Sequence, residues 1–223
     1  MHKIVEFYGK IWKEFDWDSL ERTKFQPFYI SSEILAFKDK ICLDAGCGSG
    51  RRTKALLDLG AGYVYGCDIS KDAIGVANVY LKRAGYERKC EFQEGNVLDL
   101  PYKNDKFDYV LCNGVLHHTL DWKKGMQEIY RVLKEEGVTR IGLYTDSFRN
   151  KIITFRRLFR DASMDKKVNE DVISWKSRVD LLNSPIQLFL KKSAILETAE
   201  SIGYKKLGLY SFSNDYVYYY FKK

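Results

Sequence analysis

The sequence predicts an α/β protein, a mostly parallel sheet with helices on both faces. β-like apolar runs and helix-compatible stretches alternate five times along the 223 residues, and such alternation requires parallel strands joined by crossovers that cover both sides of the sheet. The first run starts at Ile41, ends in Asp44 and opens into a turn with glycines at 46, 48 and 50. After the fifth run come one more helix and two strands that read as a hairpin.

The composition suits a core of that size. Apolar residues make up 45% and charged residues 30%, an ordinary balance for a globular protein. No run of about eighteen apolar residues is present, so no membrane span is expected. The opening residues mix acid and base without a signal-like apolar core, and a cytoplasmic enzyme is the expectation. Five cysteines, an odd number with no Cys-x-x-Cys pair, read as reduced buried residues, and no metal site is expected. The net charge of +7 permits an anionic partner without requiring one.

Residues 1–37 carry aromatics at intervals of three and four, which predicts two helices separated near Asp16 to Asp18, with Ser19 or Asp18 capping the second. This arm either packs on the body or forms a lid over a site. The glycine turn between Ile41 and Thr53 lets backbone lie close to a nucleotide-like ligand, and a helix-compatible stretch, Lys54 to Leu59, follows. Arg51 stands where the dinucleotide fingerprint has its third glycine or alanine. NAD therefore fits poorly.

Tyr63 to Cys67 is the second strand and ends in Asp68, placed about twenty residues beyond the glycines to accept hydrogen bonds from a ribose diol. Asp68 has a second reading as the cap of a helix over Lys71 to Ala84. Lys89 to Gln93 is the third strand, followed by Gly95 to Pro101, where Asp99 reads as a turn residue. Phe107 to Cys112 is the fourth, running into Asn113-Gly114-Val115-Leu116-His117-His118. Asn113 falls at the carboxyl end of a central strand, where open α/β sheets place ligands. Trp122 to Lys134 is helical by periodicity, with Gly137 ending it, and Val138 to Tyr144 is the fifth strand.

From Phe148 to Lys192 the core pattern is interrupted, and a connection this long carries function or structure of its own. Arg149 to Asp161 reads as an amphipathic cap helix. Between Arg149 and Lys167 seven basic residues face two acids, either a solvated helix face or a grip for RNA, an anionic small substrate or an acidic lipid surface. Asp180 to Pro185 prepares a turn, Ser193 to Ile202 is a helix closed by Gly203, and the hairpin pairs Lys205 to Tyr210 with Tyr216 to Phe221.

Asp44-x-Gly46-x-Gly48-x-Gly50, followed by Leu100-Pro101-Tyr102, Lys106-Phe107-Asp108 and Asn113-Gly114-Val115-Leu116-His117-His118, resembles the class I S-adenosylmethionine-dependent methyltransferases, in the small-molecule branch similar to methyltransferase type 11. The resemblance is strongest over Asp39 to Tyr144. It implies a Rossmann-like sheet of seven strands, order 3-2-1-4-5-7-6, with one antiparallel strand and S-adenosyl-L-methionine as cofactor. It also implies cofactor-binding roles for Asp44, Gly46, Cys47, Gly48 and Gly50 at the methionine side, and for Asp68 and Ile69 at the ribose and adenine. Asn96 and Val97 would meet the adenine edge, and Asn113 the methionine part or the reacting centre. Asn96 stands where relatives usually have an acid, and Glu135-Glu136-Gly137 where they have Pro-Gly-Gly.

His117 and His118 are candidates for taking a proton from a hydroxyl or amine nucleophile, or for positioning the cofactor loop. Tyr8, Tyr29 and Arg149 are candidate substrate contacts. The expected organisation is one domain over 1–223: arm 1–37, cofactor-binding core 38–146, cap insertion 147–192, and C-terminal helix with hairpin 193–223. The expected activity is methyl transfer to a small or anionic acceptor by in-line displacement. An RNA methyltransferase and a cofactor-binding protein without activity are the alternatives, since fold alone does not fix function.

Overall fold

The computed structural model describes residues 2–13, 37–147, 150, 183–213 and 215–223. The expected second arm helix, Tyr29, Arg149 and, apart from Asn150, the cap helix and the basic stretch 149–167 lie outside these residues. In chain order the elements are α1 (His2–Lys13), β1 (Ile41–Ala45), α2 (Arg51–Asp58), β2 (Tyr63–Asp68), α3 (Lys71–Arg83), β3 (Cys90–Glu94), β4 (Phe107–Asn113), a 3-10 turn (Leu116–His118), α4 (Trp122–Val132), β5 (Leu133–Tyr144), α5 (Lys192–Ile202), β6 (Lys205–Ser213) and β7 (Tyr216–Lys222).

Among the described residues the strands form one sheet in the order β3-β2-β1-β4-β5-β7-β6. Strands β1 to β5 pair in parallel, while β7 runs antiparallel to both β5 and β6. This is the expected topology. The order turns around at β1 and β4, and Ala45 pairs with Cys67 on one side and Cys112 on the other. The loops that leave these three strands therefore meet at one edge, the crevice where such sheets bind ligands.

Alternate strand residues feed two cores. On one face Leu43, Val110, Ile141 and Tyr219 pack with Met126 and Ile129 of α4 and Ile195 of α5. On the other, Cys42, Val64 and Leu111 pack with Phe7 and Ile11 of α1, Leu56 of α2 and Leu81 of α3. Each fully buried large side chain contributes about 1.5–3 kcal/mol, and α1 is thereby tied to the body. Asp108 pins the start of the central strands, accepting from the Ile41 amide at 2.8 Å and from Lys134 Nζ at 2.9 Å. Burial alone would raise its pKa, but these two donors bring it below the usual carboxylate range.

Among the boundaries that differ from the sequence reading, two have a clear physical cause. α2 begins at Arg51, because Gly50 takes a left-handed φ of 77° directly before it, and this places Arg51 and Arg52 in the first helical turn. α4 ends at Val132, with Leu133 already extended, so Gly137 is not its cap. The chain passes straight into β5 through an irregularity opposite Phe107 and Tyr109. The left-handed residue there is Glu136. Gly137 is needed for a close approach instead, since a β-carbon would lie 2.7 Å from the Lys134 carbonyl oxygen.

Candidate active site

β1 delivers Asp44 to the sheet edge, and the chain winds back on itself before α2. Gly46 and Gly48 hold φ of 78° and 53°, which costs a residue with a β-carbon roughly 1–2 kcal/mol. Space excludes side chains as well: a β-carbon at Gly46 would collide with Val115, and one at Gly48 with the Trp12 ring. The Gly46 and Cys47 amides donate to the Cys67 carbonyl at 2.7 and 3.1 Å. Gly50 instead lets α2 close on α3, with Leu81 Cδ2 2.7 Å from where its β-carbon would be. Cys47 is buried, and burial pushes its thiol well above the ordinary range.

Asp68 braces this turn. Its Oδ2 accepts from the Gly48 amide at 2.9 Å and its Oδ1 from the Ser70 amide at 3.0 Å. Capping of α3 falls to Ser70, whose Oγ accepts from the Ala73 amide at 3.3 Å. A carboxylate offers about four acceptor sites, so bracing is compatible with holding a diol. Ile69 follows, half-buried. The Gly95 amide donates to the Asp68 carbonyl at 2.9 Å, which brings the Asn96 loop beside the tip of β2.

In that loop Asn96 Oδ1 accepts from the Leu98 amide at 3.0 Å, and the Asp99 amide closes the turn on the Asn96 carbonyl. Val97 is packed in the core on the α4 side. The loop hangs on two residues that the sequence reading did not single out. Glu128 accepts from the Leu100 amide at 2.9 Å, and Arg131 donates to the carbonyls of Leu100 and Tyr102 at 2.9 and 2.7 Å. They also pair with each other at 2.7 Å.

Asp44 is 1% exposed and accepts from Thr53 Oγ1 at 2.8 Å. Burial pushes its pKa up to about 6, opposed by Arg52 and Thr53 and reinforced by Asp68. Asn113, at the end of β4, sets its side-chain amide against Arg52 Nη2 (2.5 Å) and the Tyr216 hydroxyl (3.2 Å), and the amide orientation that satisfies both donors points its oxygen at them. Arg52 and Tyr216 therefore belong to this cluster, although no spacing rule in the sequence marks either.

His117 and His118 are buried, at 0% and 5% exposure, with ring centroids 4.2 Å apart. His117 Nδ1 accepts from the Tyr144 amide at 3.4 Å. His118 Nδ1 lies 2.7 Å from the Ile186 carbonyl oxygen and 3.1 Å from Ser184 Oγ. Tyr8 packs edge-on against His118 at 5.6 Å, and its hydroxyl is 3.4 Å from Ser184 Oγ. Tyr8 and Trp12 are one turn apart on α1, so the same helix face meets His118 and covers Gly48. The structure thus gathers Asp44, the glycine turn, Asp68, Asn113, both histidines and Tyr8 at one edge of the sheet, with Asn96 beside Asp68. Among the described residues no group of three His, Cys, Asp or Glu is arranged to hold a metal ion.

Residues 43–141 match the family model described as Methyltransferase domain. The uncharacterized methyltransferase YcgJ of Bacillus subtilis is 35% identical over 98 residues, covering 43% of this chain and 37% of YcgJ. Its solved structure superimposes with a TM-score of 0.59 at 21% identity, over 81% of this chain and 72% of that one. Demethylmenaquinone methyltransferase of Anoxybacillus flavithermus is 30% identical over 71% of this chain and 61% of its own length. An S-adenosylmethionine-dependent methyltransferase from Mesorhizobium loti shares the fold at a TM-score of 0.62 and 14% identity, covering 84% of this chain and 93% of the other. In sequence the chain matches well under half of YcgJ's length. In its glycine turn, its sheet order and the Methyltransferase domain model matched over residues 43–141, the chain is similar to the class I S-adenosylmethionine-dependent methyltransferases.

Proposed function

We propose that the protein transfers a methyl group from S-adenosylmethionine to a small-molecule acceptor by in-line displacement. The observation that carries this is the glycine turn whose Gly48 amide is held by Asp68 at 2.9 Å. That contact fixes, at one edge, a backbone cradle and a carboxylate at the spacing a ribose and its neighbouring chain require. The rest of the donor set fits the same ligand. Asp44 and Asp68 suit a cation and a diol, and Arg52 suits a carboxylate. When bound, S-adenosylmethionine supplies an electrophilic methyl group on a sulfonium.

The chain's own residues then bind, orient and exclude water. Gly46, Cys47, Gly48, Gly50 and Asp44 hold the amino-acid end, Asp68 the ribose, and Ile69, Asn96 and Val97 the adenine. Asn113 sets the floor near the reacting centre. Trp12 lies over Gly48 and closes that side. Tyr8, beside His118, is the substrate contact that the described residues offer. A small acceptor is supported by a relative whose own acceptor, demethylmenaquinone, is a small molecule.

Asp68→Ala tests the reading. Calorimetric titration with S-adenosylhomocysteine is expected to give at least about tenfold weaker binding, the loss of one or two hydrogen bonds to a charged group. Unchanged affinity would remove the ribose assignment.

A further inference from the structure

Among the described residues Leu120 is the most exposed large apolar side chain, at 80%. It follows the histidine turn and precedes α4, so it stands on the rim of the ligand crevice. A single exposed leucine is ordinary; its surroundings are not. The segment 184–190 runs beside the same turn, with the Leu188 amide donating to the His117 carbonyl at 2.8 Å and Leu190 bridged to Thr145 at the end of β5. Within it Pro185 is exposed, and Ile186, Leu188, Phe189 and Leu190 are half-buried.

α4 and α5 start on this rim and pack side by side through Met126, Ile129, Ile195 and Ala199. Their starts carry Lys123, Lys124, Lys191 and Lys192, all exposed, and neither first turn contains an acid. The start of a helix is its positive end, so lysines there work against the helices. Fold stability therefore does not account for them. Asp121 caps α4, accepting from the Lys124 amide at 3.0 Å, and Lys124 Nζ is paired with Glu128 at 3.6 Å. Lys123, Lys191 and Lys192 are in no ion pair among the described residues. The stretch 149–167, with seven basic residues against two acids, is joined to the same rim where Asn150 Nδ2 donates to the Thr145 carbonyl at 2.7 Å.

We infer that this rim docks on an anionic lipid bilayer, with Leu120 entering the hydrocarbon boundary and Lys123, Lys191 and Lys192 resting on the headgroups. An apolar tip flanked by ammonium groups matches a surface that is negative outside and apolar beneath. Lysine stems are long enough to keep their charges at headgroup level while the leucine goes deeper. A nucleic acid offers no apolar layer for Leu120, and its strands are gripped through arginines and stacked aromatic rings. Docked this way, the ligand crevice faces the bilayer.

Cosedimentation of the full chain with vesicles tests the rim, using phosphatidylcholine alone or mixed equally with phosphatidylglycerol. Binding to the mixed vesicles is expected, falling with added salt, with little to phosphatidylcholine alone. Neutralising Lys123, Lys191 and Lys192 together to Gln is expected to weaken it about 100-fold, about fivefold for each charge. Leu120→Ser is expected to cost at least about tenfold. The controls are at the opposite edge of the sheet: Leu59→Ser, and Lys38, Lys89 and Lys205 changed to Gln, which remove equal charge and a comparable leucine. Their binding is expected to stay close to wild type, with melting temperatures kept in every variant. No binding to the mixed vesicles overturns the inference, and so does equal binding to phosphatidylcholine alone. Equal losses at the opposite edge, or an unchanged Leu120→Ser, reduce the effect to diffuse charge attraction and overturn it too. Tighter capture by poly(U) than by vesicles, lost in the rim variants, would make the rim a nucleic-acid surface instead. Each readout is taken without S-adenosylmethionine, so a negative result leaves the methyl-transfer reading standing.

Discussion

At the scale of single residues, the least expected property belongs to Asp44. The glycine pattern identified it, and the structure adds that it is buried and pushed up to about 6 from an ordinary 3.8, chiefly by burial. A carboxyl whose folded pKa is raised binds its proton more tightly in the folded state, so it opposes stability as pH rises from about 4 to about 6, and the penalty is complete above that window. The gap of about two pH units corresponds to roughly 3 kcal/mol. Asp44→Asn is therefore expected to melt higher than wild type at pH 7 and close to it at pH 4, read by thermal unfolding across that range. A difference that shrinks with rising pH would contradict the assignment. Arg52 shows what a motif leaves unread. Its neighbour Arg51 was informative as the residue that breaks the dinucleotide spacing, but only the early start of α2 turns Arg52 toward Asn113.

At the scale of elements, the strands and most helices were legible because buried parallel strands are continuous apolar runs and helices close on glycine, as α5 does at Gly203. The end of α4 was not, because Gly137 looks like a helix stop while its role is to approach the Lys134 carbonyl in β5. The Glu128–Arg131 pair was also illegible. At i,i+3 on a helix it reads as a surface pair, yet it clamps the loop that carries Asn96 and Val97. Arg131 holds the Glu128 carboxyl below its usual range by hydrogen bonding. Arg131→Ala is expected to cost about 1–3 kcal/mol, to speed amide exchange over residues 98–104, and to weaken S-adenosylhomocysteine binding. Unchanged exchange in that loop would show that the clamp holds nothing.

At the scale of the whole molecule, the reversal of strand order between β1 and β4 makes the ligand crevice, and the two cores fix the helices around it. The glycine turn and the acids at the strand ends follow the sheet, and their place at one edge was largely foreseeable from the sequence. Residues 184–190 run alongside the end of β5 and the histidine turn, and in the proposed reading they and α1 face the acceptor. Ser184 and Ile186 reach His118 from 66 and 68 positions away, and no local pattern announces such a contact. In the proposed reading both sides of the crevice serve the binding of S-adenosylmethionine. Titration of the purified wild-type protein by calorimetry with S-adenosylmethionine, S-adenosylhomocysteine and NAD tests it most directly. Saturable binding of both sulfur ligands at about micromolar concentration, with none of NAD, is the predicted result; binding of NAD, or of neither sulfur ligand, would contradict it.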